Sequence, residues 1–197
     1  MDLGTFFDSE FDEQAGVAAA TKAALKAPFE RLIAAAVSSI RSGGKIMFFG
    51  NGGSAADAQH LATELTIRFI NDRPAIAALA LTTDSSTLTA AGNDIGFENI
   101  FVRQIEALAK PGDLAIGIST SGKSENVIRA LRQAKEMGVV PAGFGGKGGG
   151  PMAEIADPYL VVPSDTTARI QEMHITLGQM LCGAIEIELG HAREQGA

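Results

Sequence analysis

Five short apolar runs, each followed by a turn and then by a stretch of helical character, constrain this chain more than any other feature. They cover residues 45–49, 76–81, 113–118, 139–144 and 159–162. Helical patterns occupy the intervals, from residue 54 to about 69, after 86, at 98–109, from 124 to 137, and beyond Pro163 to the C-terminus. Short apolar runs alternating with helices predict an α/β fold, a parallel sheet of about five strands covered by helices on both faces. The first 42 residues are Ala-rich and polar in helical rhythm, and Pro28 splits them. Proline suits the first turn of a helix, where its missing N–H is not needed. Two helices are therefore expected at about 8–26 and 28–42, closed by Gly43-Gly44. They form an N-terminal helical segment, 1–42, packed on a domain of residues 43–197.

Charge excludes some functions. Lys and Arg number 16 against 23 Asp and Glu, a formal net charge of -7. A nucleic-acid binder needs a basic footprint to gain counterion release. A single phosphate can still be held locally by dipoles and hydroxyls. The one cysteine, Cys182, forbids a disulfide framework within the chain and fits a reducing compartment. Its neighbours Leu181 and Met180 favour a buried, inert thiol. The opening Met1-Asp2-Leu3-Gly4 lacks the basic and apolar regions of a secretory leader. The apolar segment 170–189 carries Gln171, Glu172, His174, Gln179, Glu186 and Glu188, so it reads as a core helix rather than a membrane span. A cytoplasmic protein is expected.

Open parallel sheets bind ligands at the carboxyl ends of their strands, near a topological switch point. The loops after the first and third runs are the richest in Gly, Ser, Thr and Asn. Residues 117–124, G-I-S-T-S-G-K-S, match the nucleotide loop G-x-x-x-x-G-K-[ST] literally. However, Ser119, Thr120, Ser121 and Ser124 put several hydroxyls at a helix start, which suits one phosphate monoester without magnesium. Asp84, the only passable metal-binding acid, lies upstream. Residues 143–148 match G-x-G-x-x-G, but no acidic partner stands at the required distance, and a strand-to-helix turn is the simpler reading.

Several blocks then carry a resemblance. They are Gly50-Asn51-Gly52-Gly53-Ser54-Ala55-Ala56-Asp57-Ala58-Gln59-His60, then Glu64, Gly92-Asn93-Asp94, Ser119-Thr120-Ser121-Gly122-Lys123-Ser124, and Arg169-Ile170-Gln171-Glu172. In this order and spacing, over about residues 30 to 190, they resemble the phosphoheptose isomerases of the sugar isomerase (SIS) domain superfamily. The resemblance implies a flavodoxin-like three-layer fold with a long C-terminal helix. It implies homotetramers with intersubunit active sites, and conversion of sedoheptulose 7-phosphate to D-glycero-D-manno-heptose 7-phosphate for lipopolysaccharide and related glycans. It makes Glu64 the general base and His60 a zinc or substrate contact. It adds Asn51, Gly52, Gly53, Asn93, Asp94, Ser119, Thr120, Ser121, Ser124 and Gln171 as substrate contacts, and zinc held by His60, Glu64, Gln171 and residue 179.

The residues suit that chemistry on their own terms. Aldose–ketose isomerisation moves a proton between C1 and C2 through an enediol, so it needs a base, a group handling O1 and O2, and a distal clamp. His60 and Glu64, four apart, share a helix face. The family's second catalytic group is a histidine eight residues after the glutamine of R-I-Q-E, and here that position is Gln179. An amide does not titrate in the working range and cannot act as acid or base. Gln179 is therefore an engineered near-isostere, a natural variant in which His174 or a metal-bound water moves the proton, or the mark of a chain that has left catalysis. The last option resembles a regulatory SIS protein that binds the replication initiator and also carries R-I-Q-E-M-H. Glu64 favours the isomerase lineage. His174 reads as a hydrogen-bonded structural histidine, and His191, near Arg193, as solvated.

Overall fold

The computed structural model describes residues 2–191. The last residues of the expected domain, Arg193 among them, lie outside the described residues. Five strands form one parallel sheet: β1 (Ile46–Gly50), β2 (Ala78–Ala80), β3 (Leu114–Ser119), β4 (Val140–Gly145) and β5 (Tyr159–Val161). Their order is β2-β1-β3-β4-β5. The order reverses between β1 and β3, so the crevice above these two strands is the switch point where such sheets hold ligands.

Helices cover both faces. On one side lie α2 (Lys26–Arg41), α3 (Gly53–Thr66) and α7 (Thr167–Glu188). On the other lie α4 (Ser85–Asp94), α5 (Val102–Leu108) and α6 (Glu125–Glu136). The strands explain this two-sided burial, because successive side chains point to opposite faces. Ile46, Phe48, Leu114, Ile116 and Ile118 enter one core with Leu61, Leu65, Leu177 and Leu181. Met47, Phe49 and Ala115 enter the other with Phe101, Ile105, Val127 and Leu131. Among the described residues no helix is long and apolar enough to cross a membrane. Cys182 is free and buried, and burial pushes its thiol up to about 12.

Several expected boundaries move. Helix α1 (Leu3–Ala24) begins well before residue 8 because Asp2 caps it, its carboxylate accepting from the N–H groups of Gly4 (2.9 Å) and Thr5 (3.1 Å). The break falls at Leu25, and Pro28 sits in the first turn of α2 as expected. Strand β2 is shorter than the apolar run 76–81, since the Ile76 N–H bonds to the Leu65 carbonyl at the end of α3 rather than to a strand. The expected helix 98–109 splits into a 3-10 turn, Phe97–Asn99, and α5. His191 is half-buried rather than solvated, its N–H donating to the Glu186 carbonyl at 2.8 Å.

Candidate active site

The loop after β3 gathers hydroxyls at the start of α6. Ser124 is the N-cap residue, yet its side chain does not cap the helix. Its Oγ lies 3.0 Å from Ser119 Oγ instead. Ser121 Oγ accepts from the Lys123 N–H at 3.2 Å, and Thr120 is half-buried beside them. Hydroxyls and unpaired first-turn N–H groups at a helix N-terminus favour an anion. Gly122 is required here. Its φ of +63° is left-handed, and a Cβ would stand 1.9 Å from the Gly149 carbonyl oxygen. The loop therefore docks on the glycine-rich turn after β4 instead of wrapping a polyphosphate. Gly143 and Gly145 lie inside β4, so the second nucleotide-like motif is not a phosphate turn either.

Helices α3 and α7 build the other end. His60 Nε2 is 3.0 Å from Glu64 Oε1. The Gln179 amide nitrogen lies 3.4 Å from the same imidazole nitrogen. The structure thus joins three residues from two helices 119 positions apart in the chain. Gln171 covers the start of α3 so closely that a Cβ on Gly53 would be 2.2 Å from its Nε2. A larger residue there would have to displace the Gln171 amide. Between the two ends runs the loop after β1. Asn51 and Asn126 exchange a reciprocal pair of amide hydrogen bonds, 2.9 Å each, which ties this loop to α6 two residues beyond Ser124. Gly52 is exposed in the same loop. Asn93 and Asp94 sit apart at the exposed end of α4, where Asn93 donates to Asp94 at 2.7 Å. No hydrogen bond among the described residues links them to the crevice.

One residue stands out that sequence reasoning quoted but left without a role. Asp57 lines a cavity of about 310 Å³ with Ala168, Gln171, Glu172 and Ile175. It is buried, its Oδ2 has no partner, and burial pushes its carboxyl up to about 6 against the opposing pull of His60. The spacing 57, 60, 64 along one face of α3 was the available signal. His174 is displaced from this group. It is fully buried, with Nε2 3.0 Å from the Gly145 carbonyl, and burial lowers it to about 4. It is a core histidine and cannot stand in for Gln179.

The donor set bears on zinc. Among the described residues no three His, Cys, Asp or Glu side chains converge. His60 and Glu64 are the ordinary zinc donors in contact, the Gln179 amide reaches the same imidazole, and the Gln171 amide lies over the start of α3 in a cavity with Asp57. Amide oxygen is a poorer zinc ligand than imidazole. The residues fit a weak site.

Comparison with known proteins agrees with this geometry. The family model described as SIS domain matches residues 11–145. A phosphoheptose isomerase of Paramagnetospirillum magneticum is 60% identical over 94% of this chain and 97% of its own length. The structure of the phosphoheptose isomerase from Neisseria gonorrhoeae superposes with a TM-score of 0.89 at 40% identity, over 94% of this chain and 100% of that one. That of a phosphoheptose isomerase from Francisella tularensis gives 0.92 at 35% identity, over 95% and 100%. A hydroxyl-lined helix start after β3 and a His–Glu pair on the helix that follows the neighbouring strand β1, on a sheet of this order and with relatives this similar, make the chain a member of the phosphoheptose isomerases, aldose–ketose isomerases built on the SIS domain.

Proposed function

We propose that the chain interconverts sedoheptulose 7-phosphate and D-glycero-D-manno-heptose 7-phosphate. The observation carrying this reading is the His60–Glu64 pair at 3.0 Å on α3, the helix that follows β1, with the Ser119–Ser124 hydroxyls at the end of the neighbouring strand β3. In it, Ser119, Thr120, Ser121 and Ser124 hold the phosphate, and that remote binding energy positions the reacting carbons. Asn51, Gly52, Gly53 and Gln171 contact the sugar, with Asn93 and Asp94 as further contacts. The Glu64 carboxylate removes the C1 proton of the ketose, giving the enediol, and returns it to C2. His60 holds that carboxylate by hydrogen bond.

A proton must also pass between O1 and O2. Gln179 can donate to or accept from these oxygens but carries no proton through the step. Losing a positioned acid or base costs roughly 10²–10⁴ in rate. Turnover here is therefore limited by residue 179. The His60–Glu64 contact supports the isomerase reading over a regulatory, initiator-binding one.

His60, Glu64, Gln171 and Gln179 are the residues that would hold a zinc ion, weakly, and the ion would supply Lewis-acid polarisation of the sugar oxygens. The active assembly is a homotetramer in which residues 1–42 contribute packing surface. Its support is the apolar exposure of Leu3, Phe6, Phe7 and Phe11 on α1, of Ile67 and Ile70 after α3, and of Met180 and Ile187, which line one groove with Gln179. A phosphorylated sugar does not cross a bilayer, so enzyme and substrate share one compartment, and the single cysteine supports the cytoplasm as that compartment.

The test is Gln179→His. Isomerisation should rise by roughly 10²–10⁴-fold, and bound zinc should rise with it. An unchanged rate refutes the role given to residue 179, and no heat with millimolar sedoheptulose 7-phosphate in calorimetry refutes the substrate.

A further inference from the structure

We propose that Arg73 is a positioning residue for Glu64, an inference that rests on the reading of Glu64 as the base. Arg73 lies in the irregular segment between α3 and β2, nine residues after Glu64 and outside every motif of the site. The last carbonyls of a helix have no partner within it. Here Arg73 supplies one. Its Nη2 donates to the Glu64 carbonyl at 2.8 Å, and its Nη1 to those of Leu65 at 2.7 Å and Pro74 at 3.0 Å. Its Nε donates to Glu186 Oε1 at 3.1 Å. One planar guanidinium thus clasps the backbone of the catalytic position, and a cation at a helix C-terminus is also favoured by the helix dipole.

Glu186 fixes the clasp to the opposite helix. Both side chains are 1% exposed. Glu186 also accepts from the N–H groups of Phe69 (3.2 Å) and Asn71 (3.3 Å) and from Asn71 Nδ2 (2.9 Å). It lies seven residues after Gln179, two turns along α7, and so on the same side of that helix. The pair therefore joins the end of the helix bearing His60 and Glu64 to the helix bearing Gln171 and Gln179. It sets the separation across which Glu64 and Gln179 address one sugar. The phosphate hydroxyls, on α6 and the β3 loop, are not touched by it.

This division predicts a split between kcat and KM. Lys at position 73 keeps the charge, but a single nitrogen cannot span three carbonyls and a carboxylate. Arg73→Lys should lower kcat on the order of 10- to 100-fold, as small misplacements of reacting groups do. KM for sedoheptulose 7-phosphate should stay within about twofold, because uniform binding through the phosphate is retained. Arg73→Met with Glu186→Gln removes both buried charges, so stability should recover relative to Arg73→Met while kcat stays low. A merely structural pair would instead let kcat per folded molecule recover with stability. The measurements are made well below each melting temperature, in the parent chain and in the Gln179→His background, beside Glu64→Gln. Folded Arg73→Lys at parental kcat, with Glu64→Gln slow, overturns this inference alone. Parental turnover by Glu64→Gln overturns the base assignment and the inference with it.

Discussion

Two buried charged clusters stand where α3 and α7 meet, and they are finished to different degrees. At the end of α3, Arg73 makes four hydrogen bonds and Glu186 accepts four. Near the start of the same helix, Asp57 faces Glu172 across the cavity beside Gln171, while Arg169 pairs with Glu172 and with Glu10 and Glu13 of α1. There, Asp57 Oδ2, Arg169 Nε and Glu172 Oε2 are left without partners. Buried polar atoms are nearly always satisfied, so the exceptions need a reason. The satisfied cluster holds two helices at a fixed spacing. The unsatisfied one leaves these three polar atoms unpaired at the same interface.

That contrast can be broken most directly at Glu186. Glu186→Ala strands a buried guanidinium and the N–H donors of residues 69 and 71, and should cost about 3–5 kcal/mol. A urea titration showing a loss below about 1 kcal/mol would mean that the satisfied cluster is not what holds the helices.

Asp57→Asn should act in the other direction. The Asp57 carboxyl is raised from 3.8 to about 6 in the folded chain, so the stability tied to its protonated form is full below 3.8 and is lost as pH rises through about 6. The amide removes that loss and should stabilise the chain at pH 7–8 by on the order of 2 kcal/mol. His174 runs the opposite way. Its folded value of about 4 lies below the usual 6.5, so its contribution is present above 6.5 and is lost as pH falls towards 4. The two dependences oppose each other in the parent. Melting temperature in Asp57→Asn should therefore climb more steeply than in the parent between pH 4 and 6.5, and an identical profile would sink the assignment.

The smallest effect sharpens the comparison from outside. Arg31 and Asp157 pair at 3.2 Å with side chains 59% and 82% exposed. Arg31→Ala should change stability by no more than about 0.5 kcal/mol in the same titration, because exposed pairs are solvated and screened.

Much of this architecture is legible in the chain. Each apolar run marks a strand, and three of the five, β1, β3 and β4, are displaced by only one residue, with β1 and β3 ending in Gly50 and Ser119 at the switch point. The blocks around Asn51, His60, Glu64, Ser119 and Gln171 are recognisable because loop chemistry and helical spacing are local. The start of α1 was missed because Asp2 is a single polar residue whose capping bonds are invisible in a pattern of apolar spacing. Asp57 had no role because its environment depends on α7 lying over it. Arg73 and Glu186 gave no signal at all, since an isolated arginine and a glutamate 113 positions later are surface residues by default.

By itself, then, the sequence determined a parallel α/β sheet, a hydroxyl-rich loop suited to one phosphate, a helical His–Glu pair, and an amide, Gln179, on the last helix. Only the tertiary structure decided that β1 and β3 are neighbours, that Gln179 reaches His60, that Asp57 is buried and raised towards neutrality, and that a guanidinium closes the helix under Glu64. Patterns within one turn or strand follow from local backbone geometry, whereas contacts between distant elements depend on how two cores pack against one sheet.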